Sequence, residues 1–289
     1  MVDIFAPAKV NLFLHVTGKH EGYHTLQTVC FFPTIGDRLT VNKRLPFSKE
    51  DELQISGPFA ADLPEEPKQN IILKVLTALR EQHEIPYYSI HLQKRLPVSA
   101  GVGGGSADVA AVLRVIAQDT KLDFLQEPLA GKLASLGADI LACYHSQPLL
   151  AEGIGDEIQL WESMPDFGIL LVNPRVPLST KEVFERAQNF SSPAMISMPK
   201  SLAGWHSLIK ATDNDLQPVA ETLVPEILHM IDALKDTHEV ITARMTGSGA
   251  TCFALYPSII EAQVAEVKLR DKYPQWWIQA AKVYDGTAS

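Results

Sequence analysis

The sequence is organised around one stretch, Lys94-Arg-Leu-Pro-Val-Ser-Ala-Gly-Val-Gly-Gly-Gly-Ser-Ala-Asp-Val-Ala-Ala-Val-Leu-Arg-Val-Ile116. Residues 89–93 precede it and alternate, with Ile90 and Leu92 on the same face, which predicts a half-buried strand. Residues 107–117 are almost wholly apolar and rich in helix-forming residues, which predicts a buried helix. We therefore expect a strand, a glycine-rich loop and a helix in succession.

Four glycines, Gly101, Gly103, Gly104 and Gly105, lie between the predicted strand and helix, and Ser106 follows them. Glycines at this density allow the backbone to approach a ligand closely and to adopt positive φ angles. The N-terminus of a helix adds unpaired N–H groups and the positive end of the helix dipole. Together these features predict an anion site that suits phosphate.

Two common phosphate-binding loops do not fit this stretch. A P-loop ends in Gly-Lys-Ser/Thr, whereas Gly105 is followed by Ser106 and Ala107. The dinucleotide-binding fingerprint requires a third glycine where Ser106 stands. The remaining alternative is a mobile glycine linker, which would not be expected to lead directly into an apolar helix.

The composition is that of an ordinary soluble globular protein, with 46% hydrophobic and 20% charged residues among 289. The net charge of −9 argues against nucleic acid as the main partner. Three cysteines, Cys30, Cys143 and Cys252, lack metal-ligand spacing and are typical of a reducing compartment. The sequence has neither a signal-peptide pattern nor an apolar run long enough for a membrane span. We therefore expect a cytoplasmic protein with no membrane or nucleic-acid partner.

Polar residues outside the glycine loop are also candidates for a site. Residues 10–16 alternate in a strand pattern that places Lys9 and Asn11 on one face, about 7 Å apart, although this face is equally compatible with a solvated surface. Asp139 follows Gly137, the predicted end of a helix, where an aspartate is often only a turn former or cap. Residues 43–69 are rich in Pro, Glu and Lys, and the Asn70 that follows them is predicted to cap the N-terminus of a helix.

The chain is predicted to divide into two domains, residues 1–163 and residues 164–289. A continuous apolar run at 167–172 predicts a buried strand that opens the second domain. Ser179 and Glu182 have the spacing of a capping box at the start of a helix that contains Phe184. Strands and helices mix without a steady βαβ alternation, which favours an α+β fold over a doubly wound sheet.

Three segments, in this order, resemble the motifs of the GHMP superfamily of galactokinases, homoserine kinases, mevalonate kinases and phosphomevalonate kinases. They are Pro7-Ala-Lys-Val-Asn-Leu-Phe-Leu-His15, Leu96-Pro-Val-Ser-Ala-Gly-Val-Gly-Gly-Gly-Ser106 and Thr246-Gly-Ser-Gly-Ala-Thr251. Within the superfamily, the first segment together with Gly22-Tyr-His24 closely resembles the 4-diphosphocytidyl-2-C-methyl-D-erythritol kinases of the non-mevalonate isoprenoid pathway. The resemblance covers essentially the whole chain.

The resemblance implies two lobes with the active site in the cleft between them. The N-terminal lobe would have the ribosomal protein S5 domain 2-like fold and the C-terminal lobe a ferredoxin-like fold. The implied reaction is phosphorylation of the 2-hydroxyl of the erythritol moiety by ATP, with Mg²⁺ required. No residue is assigned as a metal ligand, and the oligomeric state is left open.

The resemblance also implies roles for individual residues. Lys9 and Asp139 match the catalytic pair, and Asn11 matches an asparagine that contacts substrate. The residues at the positions that contact adenine are Asn70 and Lys94, and those that hold the cytidine are Tyr23, His24 and Phe184. The residues that match the ATP loop are Pro97, Val98, Ser99, Ala100, Gly101, Val102, Gly103, Gly104, Gly105, Ser106 and Ala107.

One departure from the family pattern lies next to the expected catalytic carboxylate. The family usually has Asp-Val-Pro-Phe-Phe at this place, whereas Asp139 is followed by Ile-Leu-Ala-Cys. The missing proline changes how the loop is braced but keeps the carboxylate.

Three other functions compete with this assignment. A sister kinase for homoserine or mevalonate would not need Tyr23, His24 or Phe184, because its substrate lacks a nucleobase. A non-catalytic nucleotide sensor could dispense with Lys9 and Asp139, and both are present. RNA binding is suggested only by analogy with the S5-like fold and is opposed by the negative net charge.

Overall fold

The computed structural model describes residues 1–20, 22–188 and 190–284. In chain order, the strands are β1 (Val2–Pro7), β2 (Val10–Asn11), β3 (His15–His20), β4 (Tyr23–Phe31), β5 (Gly36–Lys43), β6 (Glu52–Ser56), β7 (Tyr88–Gln93), β8 (Leu149–Glu152), β9 (Glu157–Leu160), β10 (Gly168–Asn173), β11 (Thr242–Met245), β12 (Cys252–Tyr256) and β13 (Trp277–Lys282). The α-helices are α1 (Ile71–Arg80), α2 (Gly104–Thr120), α3 (Leu129–Leu136), α4 (Ile140–His145), α5 (Thr180–Arg186), α6 (Leu202–Ala211), α7 (Gln217–Leu223), α8 (Glu226–Lys235) and α9 (Ile259–Lys272).

The first sheet has the strand order β1-β5-β7-β6 and is antiparallel except for the parallel pair β6 and β7. Helices α1 and α2 pack on it, and their side chains Leu76 and Val112 share a buried core with Leu39 and Ile90 of the sheet. Burying one such side chain stabilises the fold by about 1.5–3 kcal/mol. This packing confirms the predicted strand, loop and helix and fixes the N-terminus of α2 relative to the end of β7.

The second sheet has the order β2-β4-β8-β9, with β3 paired to β4. The prediction of one continuous strand over residues 10–16 is wrong, because β2 ends at Asn11 and β3 begins at His15. The intervening Leu12, Phe13 and Leu14 are all buried, so the alternation does not separate an inner face from a solvated one. The C-terminal half of the chain covers this segment, and the Leu14 N–H donates to the Asp213 carbonyl at 3.0 Å.

The third sheet is antiparallel and has the order β11-β12-β10-β13. When its four strands are numbered along the chain, they lie in the order 2-3-1-4 across the sheet. Helices precede β11, and α9 connects β12 to β13, which gives the βαββαβ pattern of a ferredoxin-like fold. The α+β fold class is confirmed. The chain passes from the second sheet to the third between Leu160 and Gly168. The exact domain limits at 163 and 164 stay a prediction.

Two helices, α6 and α7, are absent from the sequence prediction, although Ser201 caps α6 by accepting the Gly204 N–H at 3.2 Å. Among the residues of α6 only Trp205 and Ile209 are buried, and α7 buries only Ala220. Such short helices have too few buried positions to show a 3.6-residue period, and tertiary contacts stabilise them instead. Within the described part of the chain, no helix is both long and apolar enough to cross a membrane.

Gly168 opens β10 at a point where the chain leading into α9 passes close to its backbone. A Cβ atom on Gly168 would lie 1.9 Å from the carbonyl oxygen of Ser258, and backbone cannot move aside as a flexible side chain can. We therefore expect Gly168→Ala to lower the free energy of unfolding by about 2–3 kcal/mol, measured by urea denaturation.

Gly105→Ala is the matched control, since the nearest atom to its added Cβ is Ile71 Cγ2 at 3.5 Å, an ordinary contact. Alanine also favours the helical conformation at this position. The control should be neutral or stabilising. Equal stability of the two variants would contradict the close packing of β10 against the start of α9.

Candidate active site

A cleft of about 1110 Å³ lies where the two halves of the chain meet. Its lining contains ten of the eleven loop residues predicted for ATP, and the exception is Ala107, which is buried. The other predicted site residues in the lining are Lys9, Asn11, Asn70, Lys94, Asp139 and Phe184. Tyr23 and His24 are not part of it. The structure therefore brings most of the predicted site together in one place.

The glycine loop has the backbone conformation that its sequence predicts. Gly101 and Gly103 have φ angles of +73° and +63°, and Gly103 caps the N-terminus of α2. A Cβ atom on Gly101 would lie 2.5 Å from the carbonyl oxygen of Gly249, so glycine is required where the two halves of the chain touch. The free N–H groups at the start of α2 thus face the cleft from a fixed loop.

Lys9 and Asp139 form an ion pair beside this loop, with Lys9 Nζ 2.7 Å from Asp139 Oδ1. The Lys9 side chain is 7% exposed, whereas that of Asp139 is 42% exposed and is accessible from the cleft. Burial lowers the pKa of Lys9, but the Asp139 carboxylate together with the nearby Cys30 and Cys143 outweighs this effect, so the net shift is upward. The ammonium is therefore charged at neutral pH, and it holds the Asp139 side chain at the edge of the cleft.

The position of Lys9 is set by hydrogen bonds from several directions. Its backbone N–H donates to the Val102 carbonyl at 2.8 Å, and its Nζ donates to Asn11 Oδ1 at 3.2 Å. Asn11 is held in turn, because its Nδ2 donates to Thr28 Oγ1 at 2.9 Å and its backbone N–H donates to Thr246 Oγ1 at 2.8 Å. Thr246 of the third motif thus helps to position Asn11 and, through it, Lys9 of the first motif.

The departure after Asp139 leaves the carboxylate in place. Residues 140–145 form α4, whose apolar side chains Ile140, Leu141 and Cys143 are buried in the core of the N-terminal half. The segment that lacks the family's proline thus forms a short buried helix, with Asp139 at its start.

An aromatic group lies towards one end of the site. The rings of His24 and Phe184 are 5.2 Å apart, and Phe190 meets His24 edge-on at 6.2 Å. Tyr23 does not join this group, since adjacent residues of β4 point to opposite faces and its side chain is 66% exposed. Phe190 lies in a loop rich in Ser and Pro, and the sequence gives no sign of its contact with His24.

His24 is a neutral imidazole in this setting. Burial lowers its pKa, and the nearby charge of Lys19 lowers it further. Its Nε2 atom is buried, and no partner for it lies within the described residues. A buried ring nitrogen without a partner is suited to bind a polar edge of a ligand.

Asn70 and Lys94, the two residues predicted near adenine, are held by contacts within the protein. Asn70 Oδ1 accepts the Ile72 N–H at 2.9 Å, which confirms the predicted cap of α1. Lys94 Nζ lies 2.6 Å from Asp37 Oδ2 and 2.8 Å from Asp108 Oδ2. Their contacts with adenine stay a prediction.

One cleft contact is absent from the sequence prediction. Thr180 and Ser248 share a hydrogen bond of 2.8 Å between their hydroxyls, and both line the cleft. The feature of the sequence that indicates Thr180 as a cleft residue is its place directly after the helix cap Ser179, at the N-terminus of α5.

Two family models match the chain, that of the GHMP kinase N-terminal domain over residues 70–147 and that of the GHMP kinase C-terminal domain over residues 199–275. A 4-diphosphocytidyl-2-C-methyl-D-erythritol kinase of Rhizobium leguminosarum bv. trifolii is 42% identical over 287 residues, which covers 97% of this chain and 94% of the relative. The kinase of the same name from Parvibaculum lavamentivorans is 40% identical and covers 96% of each chain.

Solved structures show the same fold. A crystal structure of 4-(cytidine 5'-diphospho)-2C-methyl-D-erythritol kinase superposes with a TM-score of 0.76 at 24% identity, over 99% of this chain and 100% of the other. Homoserine kinase from Cytophaga hutchinsonii has a TM-score of 0.69 at 18% identity, over 98% and 94%. The full-length similarity to curated relatives and the two family models together show that the chain belongs to the 4-diphosphocytidyl-2-C-methyl-D-erythritol kinase family of the GHMP kinases.

Proposed function

We propose that this protein transfers the γ-phosphoryl group of ATP to the 2-hydroxyl of 4-diphosphocytidyl-2-C-methyl-D-erythritol. The observation that carries the proposal is the contact between the Lys9–Asp139 ion pair and the N-terminus of α2. A Cβ atom on Gly103 would lie 3.2 Å from Lys9 Cβ and 3.6 Å from Asp139 Oδ2. A phosphate bound at the helix N-terminus and a hydroxyl bound at Asp139 would therefore be neighbours.

The chemistry needs positioning and charge stabilisation more than covalent work by the protein. The N–H groups at the start of α2 would bind phosphate oxygens, and Ser106 adds a hydroxyl in the cleft lining. Asp139 would orient the acceptor hydroxyl and accept its proton. Lys9 would stabilise the charge that develops on the transferring group.

Mg²⁺ is part of the proposal, and the residues present fit it. Mg²⁺ is usually held by one or two carboxylates together with substrate phosphates and water. The described residues contain no group of three or more His, Cys, Asp or Glu side chains that could hold a metal, so the phosphates would supply most ligands. Asp139 and Ser106 are among the oxygen donors in the cleft lining, and they would hold the ion beside the phosphate loop. Bound there, Mg²⁺ would neutralise charge on the phosphates.

The aromatic group supports a substrate that contains a pyrimidine. Phe184 lines the cleft and could stack on a base, while the unpartnered Nε2 of His24 could bond the edge of the base. Asn11, beside Lys9, would contact the sugar alcohol. Tyr23 could reach the base only by changing its side-chain direction or by stacking from outside the cleft.

Substrate choice is tested with a panel of alcohols in an assay that couples ADP release to a spectroscopic signal. We expect turnover that depends on Mg²⁺ and ATP with the cytidylylated methylerythritol, and little turnover with homoserine or mevalonate. A higher kcat/KM for either of the two smaller alcohols would overturn the assignment and would indicate a sister kinase.

The pyrimidine pocket is tested with Phe184→Ala. Loss of one stacking contact should remove about 1–3 kcal/mol of transition-state stabilisation, which is measured as a fall in kcat/KM for the cytidylylated substrate. The affinity for ATP should stay nearly unchanged. Phe47→Ala is the control, because Phe47 is 77% exposed and lies outside the cleft lining. Equal losses for the alcohol and for ATP would instead indicate general damage to the cleft.

A further inference from the structure

Three charged side chains form a buried triad beneath the phosphate loop: Asp37, Lys94 and Asp108. Lys94 Nζ lies 2.6 Å from Asp37 Oδ2 and 2.8 Å from Asp108 Oδ2. Their side chains are 0% to 4% exposed. Burying three ionisable groups carries a large desolvation cost, which fixed geometry and further hydrogen bonds must offset. We therefore expect the triad to have a structural role beside the phosphate loop.

The second oxygen of Asp37 holds the chain at the entry to the loop. Asp37 Oδ1 accepts the backbone N–H of Arg95 at 2.5 Å and that of Leu96 at 2.9 Å. These two residues directly precede Pro97, the first residue of the loop. Hydrogen bonds from backbone N–H groups to an ionised carboxylate are stronger than neutral ones. The carboxylate thus fixes the direction in which the chain leaves β7.

The other end of the triad holds the exit from the loop. Asp108 lies in α2, one turn after Gly104, and a Cβ atom on Gly104 would lie 3.2 Å from Lys94 Nζ and 3.7 Å from Asp37 Oδ2. The first turn of α2 therefore rests directly on the triad. One chain of contacts, from the N–H groups of Arg95 and Leu96 through Asp37 and Lys94 to Asp108, spans both ends of the loop.

We propose that Asp37 is a positioning residue for ATP, which sets the conformation of the phosphate loop by tying its entry to its exit. This rests on the proposed function only in assigning ATP to the cleft. Asp37 itself is fully buried and is not part of the cleft lining. It acts through Arg95, Leu96 and Lys94, and its loss lets the N–H groups of the loop leave the arrangement that phosphate requires.

The charge state of the triad agrees with this role. Burial lowers the pKa of Lys94, but the two carboxylates outweigh this effect and raise it. Burial raises the pKa of Asp108 well above its ordinary value, although Lys94 opposes the shift. The two ion pairs thus favour the charged form of Lys94 despite its burial, which keeps Lys94 in contact with the residues at both ends of the loop.

The test compares Asp37→Asn with a matched control, Asp51→Asn. Asp51 is also a buried carboxylate, 7% exposed, that pairs with a cation, Arg80 at 2.5 Å, and accepts a backbone N–H, from Tyr88 at 2.8 Å. It lies outside the cleft lining. Both variants should lower the melting temperature, because each weakens a buried ion pair.

The readout is the dissociation constant of a non-hydrolysable ATP analogue with Mg²⁺, measured by calorimetry well below both melting temperatures. We expect Asp37→Asn to weaken binding by about tenfold or more and Asp51→Asn to leave it nearly unchanged. In turnover, Asp37→Asn should raise the KM for ATP by a larger factor than it lowers kcat. Unchanged analogue binding in Asp37→Asn, or equal weakening in both variants, would overturn the proposal.

Two further outcomes are separated by the design. Failure of the wild-type protein to bind the analogue would contradict the proposed function, whereas binding without turnover of the cytidylylated alcohol would leave the comparison of the two variants intact. If Asp37→Asn does not fold, amide hydrogen exchange of the wild-type protein decides. Slow exchange of the Arg95 and Leu96 N–H groups, like that of the core strands, supports the proposal, and fast exchange overturns it.

Discussion

The ion pair between Lys9 and Asp139 is the interaction on which the rest of the site depends. Its two members differ in exposure, because the ammonium is buried while the carboxylate opens onto the cleft. A buried charge of this kind requires a partner, so Lys9 keeps the Asp139 carboxylate close. The surrounding elements meet this requirement: the segment before β2 supplies Lys9, α4 fixes Asp139, and Gly103 of the glycine loop lies against both side chains.

The glycine loop in turn is held by both halves of the chain. From the C-terminal half, the Thr251 hydroxyl donates to the Ala100 carbonyl at 2.6 Å, and Asn173 Nδ2 donates to Thr251 Oγ1 at 2.9 Å. From the N-terminal half, the Asp37 carboxylate accepts two N–H groups at the entry of the loop. Both halves of the chain therefore build the cleft together, and the three sequence motifs meet there because each supplies hydrogen-bond partners to another.

Local signals in the sequence predicted the elements that make their own contacts. The cap Asn70, the capping residue Ser179 and the apolar helix after the glycines all stand as predicted, because each depends on neighbours within a few residues. The glycine loop was recognisable for the same reason. The family resemblance then placed Lys9 beside Asp139, which are 130 positions apart and share no local pattern.

Long-range contacts account for what the sequence did not reveal. The alternation over residues 10–16 was equally compatible with a solvated face, but the apolar side chains of this segment are buried, and both halves of the chain contact it, at Leu12 and at Leu14. The sequence gives no sign that Asp37 holds the loop entry, because this contact depends on β7 lying beside β5. Tyr23 and His24 are adjacent in sequence, yet strand geometry separates their side chains, so only His24 meets Phe184.

The rate of phosphoryl transfer in a single turnover of Asp139→Asn shows directly whether the Asp139 carboxylate acts on the acceptor hydroxyl. The amide is nearly isosteric and can still accept a hydrogen bond, but it does not accept the proton and leaves Lys9 without its charged partner. We expect a rate lower by roughly 10²–10⁴-fold, with dissociation constants for ATP and for the alcohol nearly unchanged. A rate close to that of the wild-type protein would contradict the account and would make Asp139 a structural residue at the start of α4.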